Sequence, residues 1–186
     1  ELRQYRAGQL DFTYVVPQQQ FQWLRQNLGA ELHVAPQLSL YYYGFNLTRP
    51  PFKDNPGLRR ALSMVIDRDR LTKSVTGLGE APAYGWVPRG VANYTPQQYD
   101  YASLPYEARV AEARRLYEQA GYSAQSPLKV QVRYNSGEVH SRLAVAIAAM
   151  WKEALGVETE LYAEEFRALL QSIQARKDTQ VFRSSW

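Results

Sequence analysis

Cysteine is absent from the sequence, which removes disulfide frameworks and thiolate metal sites while leaving the redox compartment open. Histidine is nearly absent too. With only His33 and His140, a catalytic pair or a nitrogen-rich metal site would have to borrow carboxylates from across the fold. No apolar run reaches the roughly 18 residues that a membrane helix needs. The sequence starts at Glu1 without the basic and apolar regions of a signal peptide, so a processed chain or a cut piece is expected. An excess of one charge is lacking as well: 22 Lys plus Arg stand against 18 Asp plus Glu, a net +4, with the bases scattered among the acids. Such a distribution gives no grip on a phosphate backbone, and nucleic acid is not an expected partner.

Catalytic signatures are also missing. The chain has no Gly-x-Ser-x-Gly elbow, no Gly-x4-Gly-Lys-Ser/Thr phosphate loop and no His-Glu-x-x-His zinc motif. Gly77-Leu78-Gly79 lacks a third glycine and follows a helical pattern where a dinucleotide site would follow a strand. No cofactor and no metal is expected, and nothing anchors an enzymatic reading.

What remains is the composition of an ordinary globular protein: 186 residues, 45% hydrophobic and 22% charged, with 14 tyrosines. That length suits one well-cored domain, taken as residues 1–186. The pattern of elements predicts an α/β fold. Residues 2–7 read as the end of a helix stopped by Gly8, and residues 10–16 have the β-branched and aromatic content of a strand. A helix is expected over 18–27 and a long extended region over 32–47. Asn55-Pro56 is a helix start, followed by Leu58, Ala61, Leu62, Val65 and Ile66 as one apolar stripe. Asp67 caps a second short helix, after which residues 77–104 form a long ordered loop rich in Gly, Pro, Tyr and Asn. Beyond Pro105 the pattern predicts a helix ending at Gly121, a strand through Leu128, Val130, Val132 and Tyr134, and a helix over 138–155 stopped by Gly156. A strand over 157–162, a helix over 164–176 and a short strand near Val181 complete a mixed central sheet flanked by helices.

One stretch is more specific: Tyr41-Tyr42-Tyr43-Gly44-Phe45-Asn46, then Pro51-Phe52-Lys53-Asp54, Leu58-Arg59-Arg60-Ala61-Leu62 and Ile66-Asp67-Arg68. It resembles the signature region of the oligopeptide-binding proteins of ABC importers, the peptide-type extracellular solute-binding proteins of family 5. Ala7-Gly8-Gln9-Leu10-Asp11, Pro82-Ala83-Tyr84 with Pro88, Ala111 through Tyr122, and Tyr134-Asn135-Ser136 through Gly156-Val157 extend the similarity in order along nearly the whole chain.

The resemblance implies a type II periplasmic-binding-protein lobe, the second of two, from a longer protein that closes over an extended peptide. In that reading both ends of the chain sit near hinge crossings. The expected partners are short peptides, a missing first lobe and an ABC permease of the inner membrane; the location is periplasmic or extracellular, with a lipid anchor in the full-length protein an open alternative. Murein-peptide, dipeptide, haem or nickel-chelate receptors of the same fold, and a peptidase domain, are the competing readings.

By the same resemblance His140 and Arg183 take the peptide carboxylate, Trp186 lines a side-chain pocket, and Phe166 stands where the family often has a pocket Trp; strand alternation lets only the outward face of the Tyr41 to Tyr43 run touch ligand, with Tyr43 chosen. The acid that pairs with the peptide amino group would lie beyond Trp186, and Ile173 replaces a second Arg that the family can carry. Read without the family, His140 is a solvated residue of a first helical turn, Arg183 a surface ion-pair residue and the tyrosines sheet packing. Arg59, Arg60, Asp67 and Arg68 are assigned to capping and surface pairs.

Overall fold

The computed structural model describes residues 1–14 and 16–186. Its centre is a four-stranded mixed sheet built from β1 (Tyr41–Phe45), β2 (Lys129–Asn135), β3 (Glu158–Glu164) and β4 (Val181–Ser185), in the order β1-β4-β2-β3. β4 runs antiparallel to β1 and parallel to β2, and β2 runs parallel to β3. The β2–β4 contact is short, only Val132 with Val181 and Arg133 with Phe182.

Seven helices surround the sheet among the described residues: α1 (Leu2–Arg6), α2 (Phe21–Asn27), α3 (Pro56–Met64), α4 (Arg68–Arg70), α5 (Tyr106–Gln119), α6 (Glu138–Leu155) and α7 (Phe166–Ala175). Local chemistry sets their ends. The Asn55 side-chain oxygen accepts from the Leu58 N–H at 3.1 Å, and Asp67 does the same for Arg70 at 3.0 Å. Each cap satisfies an N–H that has no intrahelical partner. Gly156, at φ 75°, ends α6 in the left-handed conformation that glycine adopts without steric cost.

The core lies between one face of the sheet and the helices α3, α5 and α6. Leu58, Ala61, Leu62 and Val65 meet Ala113 and Tyr117, and below them Val130, Val132 and Val181 meet Leu143, Ile147, Met150 and Trp151. Trp151 is fully enclosed and donates its indole N–H to the Leu62 carbonyl at 2.9 Å, tying α6 to α3. A buried indole needs such a partner.

Residues 77–104 carry little regular structure beyond a 3₁₀ turn at Asp100–Ser103, yet they are tied down at several points. Tyr101 is buried with its hydroxyl 2.7 Å from Ser63 Oγ, Tyr99 N–H donates to the Tyr84 carbonyl at 2.8 Å, and Arg109 Nη1 donates to the Tyr84 hydroxyl at 3.0 Å. Arg60 pairs with Asp100 at 2.7 Å, and Arg68 donates to the Ser63 and Ile66 carbonyls. Together with Arg59, which donates to the Phe52 carbonyl, these groups brace the signature helices, as their assignment to capping and pairing anticipated.

Two expected elements differ. The described residues of 10–16 form no strand, and Val15 lies outside them; Phe12 and Tyr14 are exposed, and none of the four described strands pairs with the described residues of this segment. The extended region over 32–47 forms a strand at Tyr41–Phe45, paired with the five-residue β4, and backbone hydrogen bonds continue from Asn46 to Gln180 and from Trp186 to Leu40. Shifts elsewhere are small: β3 runs to Glu164, and α7 starts at Phe166 behind a Glu165 cap.

Replacing Trp151 with Ala removes the largest enclosed side chain and leaves the Leu62 carbonyl unpaired. An increase in the free energy of folding of about 3–5 kcal/mol is expected. Urea denaturation would show it as a lower midpoint at unchanged slope; a loss under about 1 kcal/mol would contradict the packing described.

Candidate functional site

In an open sheet with parallel strands, side chains at the carboxyl ends project into the crevice above the sheet, where the following helices begin. Here β2, β3 and β4 end at one edge with Asn135, Glu164 and Ser185, and α6 and α7 start there. β1 runs the opposite way, so its first residue, Tyr41, lies at the same edge and pairs with Ser185. His140, Arg183, Trp186 and Phe166 therefore share one rim of the molecule.

Alternation along the strands divides that rim in two. On the face covered by α6, Tyr41 is the meeting point. Its hydroxyl lies 3.2 Å from His140 Nδ1, its ring stacks on the imidazole with centroids 5.7 Å apart, and the Arg183 guanidinium sits 4.5 Å above the ring centre. The two residues assigned to one carboxylate are thus both in contact with a single tyrosine. Arg183 Nη1 donates to Asn135 Oδ1 at 2.9 Å, while its buried Nε has no protein partner. Tyr43 stands opposite Arg183 in the β1–β4 register. Its buried hydroxyl makes no hydrogen bond of ordinary geometry among the described residues, so Tyr43 lies under the site rather than at its mouth.

Electrostatics follow from this crowding. Burial holds the His140 pKa below the ordinary imidazole value of 6.5, and the Arg183 charge lowers it further. Burial raises Tyr41 above the usual phenol range, against the opposing pull of Tyr43 and Arg183. Tyr43 is pushed far higher, again mainly by burial. At neutral pH these shifts favour protonated tyrosines and a neutral imidazole, leaving Arg183 as the fixed positive charge of the cluster.

Backbone geometry aims His140. Gly137 precedes α6 at φ 150°, and a Cβ there would come within 3.2 Å of His140 Cδ2. A larger residue would be strained and would press on the ring.

On the opposite face Trp186 is 69% exposed and belongs to a different group. Tyr42 and Trp86 pack 4.7 Å apart, and the Trp86 and Trp186 rings meet edge to face at 5.9 Å. Phe166 opens α7 at 52% exposure with no ring partner among the described contacts. The five predicted residues share the rim, but only His140 and Arg183 come together through one group, with Tyr43 beneath.

Sequence reasoning missed Tyr41, Tyr42, Trp86 and Asn135. The strand register would have separated Tyr41 from Tyr42, whereas Trp86, in an aperiodic loop, carried no signal.

A cleft of about 590 Å³ also lies on that opposite face, lined by Arg49, Lys129, Arg133, Glu160 and Asp178, and it contains none of these residues. Its bases are paired with acids in or beside it: Arg49 faces Asp178 at 4.0 Å, Lys129 meets Glu158 at 3.3 Å, and Arg133 pairs with Glu164. Among the described residues no cluster of His, Asp and Glu could hold a metal ion, and no helix is long and apolar enough to cross a membrane.

An arginine and a histidine with a depressed pKa thus sit at the parallel edge of an α/β fold, beside open aromatic rings. The profile of the bacterial extracellular solute-binding proteins, family 5 (Middle), matches residues 1–186, and the chain belongs to that family. The chain is 37% identical over 184 residues to the periplasmic murein peptide-binding protein MppA of Escherichia coli, covering 99% of this chain and 34% of the relative. The solved structure of that protein superposes with a TM-score of 0.90, over 100% of this chain and 36% of the other. A probable deoxycholate-binding periplasmic protein, YgiS of E. coli, is 37% identical over 182 residues, 98% of this chain and 33% of that protein. The Haemophilus influenzae oligopeptide-binding protein OppA, solved in complex with RPPGFSPFR, is 34% identical with a TM-score of 0.85, covering 100% of this chain and 36% of that one. The chain thus spans about a third of the length of the curated relatives it matches, with the periplasmic-binding-protein fold expected from the sequence.

The depressed His140 pKa has two measurable consequences. Arg183→Gln should move the imidazole pKa up toward 6.5 in an NMR titration, and an unchanged or lower value would contradict the coupling. The folded state favours the neutral ring, so its contribution to stability is present above about pH 6.5 and is lost as the pH falls through the depressed folded value. In His140→Gln the fall in stability between pH 7 and 5 should be shallower.

Proposed function

We propose that this chain is the peptide-binding lobe of an ABC-transporter substrate-binding protein, which sequesters short oligopeptides for import. The observation that carries the reading is the convergence of His140 and Arg183 on Tyr41 at the parallel edge of the sheet. A guanidinium with a free N–H and a neutral imidazole suit a peptide carboxylate, and charge-assisted hydrogen bonds of that kind are the strong ones. The neighbouring Trp186, Trp86 and Tyr42 offer apolar rings to side chains of varied shape. The relatives' names, murein peptide and oligopeptide, point the same way.

In this reading the 186 residues are one lobe of a longer periplasmic or surface-anchored protein. A first lobe supplies the opposing wall, and an acid beyond Trp186 pairs with the peptide amino group. In this reading the protein hands its cargo to a permease of the inner membrane and catalyses nothing itself; His140 and Ser185 are hydrogen-bonded to Tyr41 and Arg183 and not to each other.

A second ligand deserves an arm of the test, because deoxycholate, like a peptide, carries one carboxylate on an apolar body. Thermal unfolding of the full-length protein with tri- to pentapeptides, murein tripeptide and deoxycholate would rank them. Ligand at 100 times its Kd stabilises by about 2.7 kcal/mol, a shift of several degrees, if it binds only the folded form. The 186-residue chain alone should shift little. Equal shifts for chain and full-length protein would overturn the two-lobe reading, and a larger shift with deoxycholate would overturn the peptide. Cleavage of a labelled peptide on incubation would restore the peptidase.

A further inference from the structure

We propose that Tyr41 is a positioning residue of this site: by donating its hydroxyl proton to Nδ1 of His140 it holds the imidazole as the neutral Nε2–H tautomer, so that His140 meets a ligand anion as a hydrogen-bond donor while Arg183 supplies the charge. The inference rests on the carboxylate reading of the site and adds a residue and a protonation form to it.

The imidazole is penned in. Its Nδ1 faces the Tyr41 hydroxyl at 3.2 Å, and its ring lies nearly parallel to the tyrosine ring, 24° between planes. The charged and titratable groups around it are Arg183 from β4, Tyr41 and Tyr43 from β1 and, on its own helix, Glu138, which is engaged by the Gln19 amide at 2.5 Å. Glu138 is not among the groups that shift the imidazole; burial and the guanidinium both oppose an imidazolium, in keeping with the lowered pKa. A neutral imidazole has one donor and one acceptor nitrogen. A buried tyrosine that keeps its proton satisfies the acceptor at Nδ1, which assigns the proton to Nε2, the nitrogen turned away from Tyr41. The same tyrosine ring seats the Arg183 guanidinium, whose Nε lacks a partner among the described residues. One side chain thus sets the direction of the histidine donor and the place of the arginine charge, and holding both in advance reduces the entropy lost when a ligand binds.

Two measurements on the full-length protein test this. The first is the tautomer, read from imidazole ¹⁵N shifts with ¹⁵N-histidine label, His140 being assigned by the signal lost in His140→Gln. The Nε2–H form is expected in the wild type, with a mixture of tautomers in Tyr41→Phe. The second is the affinity for a tripeptide and for its C-terminal amide. The wild type should prefer the acid, and Tyr41→Phe, which keeps the ring under Arg183, should lower affinity for the acid by about three- to tenfold while leaving the amide unchanged. If the wild type binds acid and amide equally, the carboxylate reading itself fails, whatever the tautomer. If the wild type prefers the acid but His140 carries its proton on Nδ1, or Tyr41→Phe keeps the full preference, the carboxylate site stands and the role of Tyr41 is overturned.

Discussion

Two residue pairs join the two halves of the sheet, Val132 with Val181 and Arg133 with Phe182, and the geometry of its parallel edge depends on them. Val181 is fully buried against the helical layer, and its removal from water contributes about 1.5–3 kcal/mol to docking β4 beside β2. Once it is anchored, alternation fixes the rest of the strand. Arg183, two residues on, returns to the same face and meets Tyr41 of β1 beneath the first turn of α6. Phe182 goes to the other face and lies over Gly44, where a Cβ would come within 2.6 Å of its ring, so only glycine admits that packing. One buried valine thereby sets the register that delivers the arginine to the histidine.

The two sides of the rim have different chemistry because the sheet has two environments. The α6 side is covered, so His140, Tyr41 and Tyr43 are desolvated and the charge on Arg183 is weakly screened. The aromatic rim on the far side is open, so Trp186, Trp86 and Tyr42 provide area without fixed polarity. A receptor that reads a common terminal charge and tolerates varied side chains needs this division. The charge must be met by rigid, preoriented groups, whereas side chains are better met by surfaces without demands on geometry.

How far the sequence disclosed this depended on the range of the forces involved. Helices α3 and α6 were legible because their signals are local: a cap at Asn55, a stop at Gly156 and an apolar stripe between. The absence of a strand among the described residues of 10–16 was not legible, because strand formation requires a partner edge, and no local property of Phe12 or Tyr14 says whether one will be there. His140 and Arg183 came from motif resemblance, since 43 positions of chain separate them and only the β2–β4 register brings them to one ring. Tyr41 escaped notice for a related reason: three consecutive tyrosines look alike until the register decides which of them turn toward α6. Trp86 sits in a loop held by Tyr84, Asp100 and Tyr101, contacts with no periodicity to read.

The central claim is that Arg183 and the ligand carboxylate are paired at the parallel edge. A double-mutant cycle by calorimetry on the full-length protein, crossing Arg183→Gln with amidation of the peptide, measures that pairing alone, since effects common to both ligands cancel. A coupling of about 1.5–3 kcal/mol is predicted, the range for a hydrogen bond to a charged group. A coupling of zero, with both peptide forms losing affinity equally, would contradict the account.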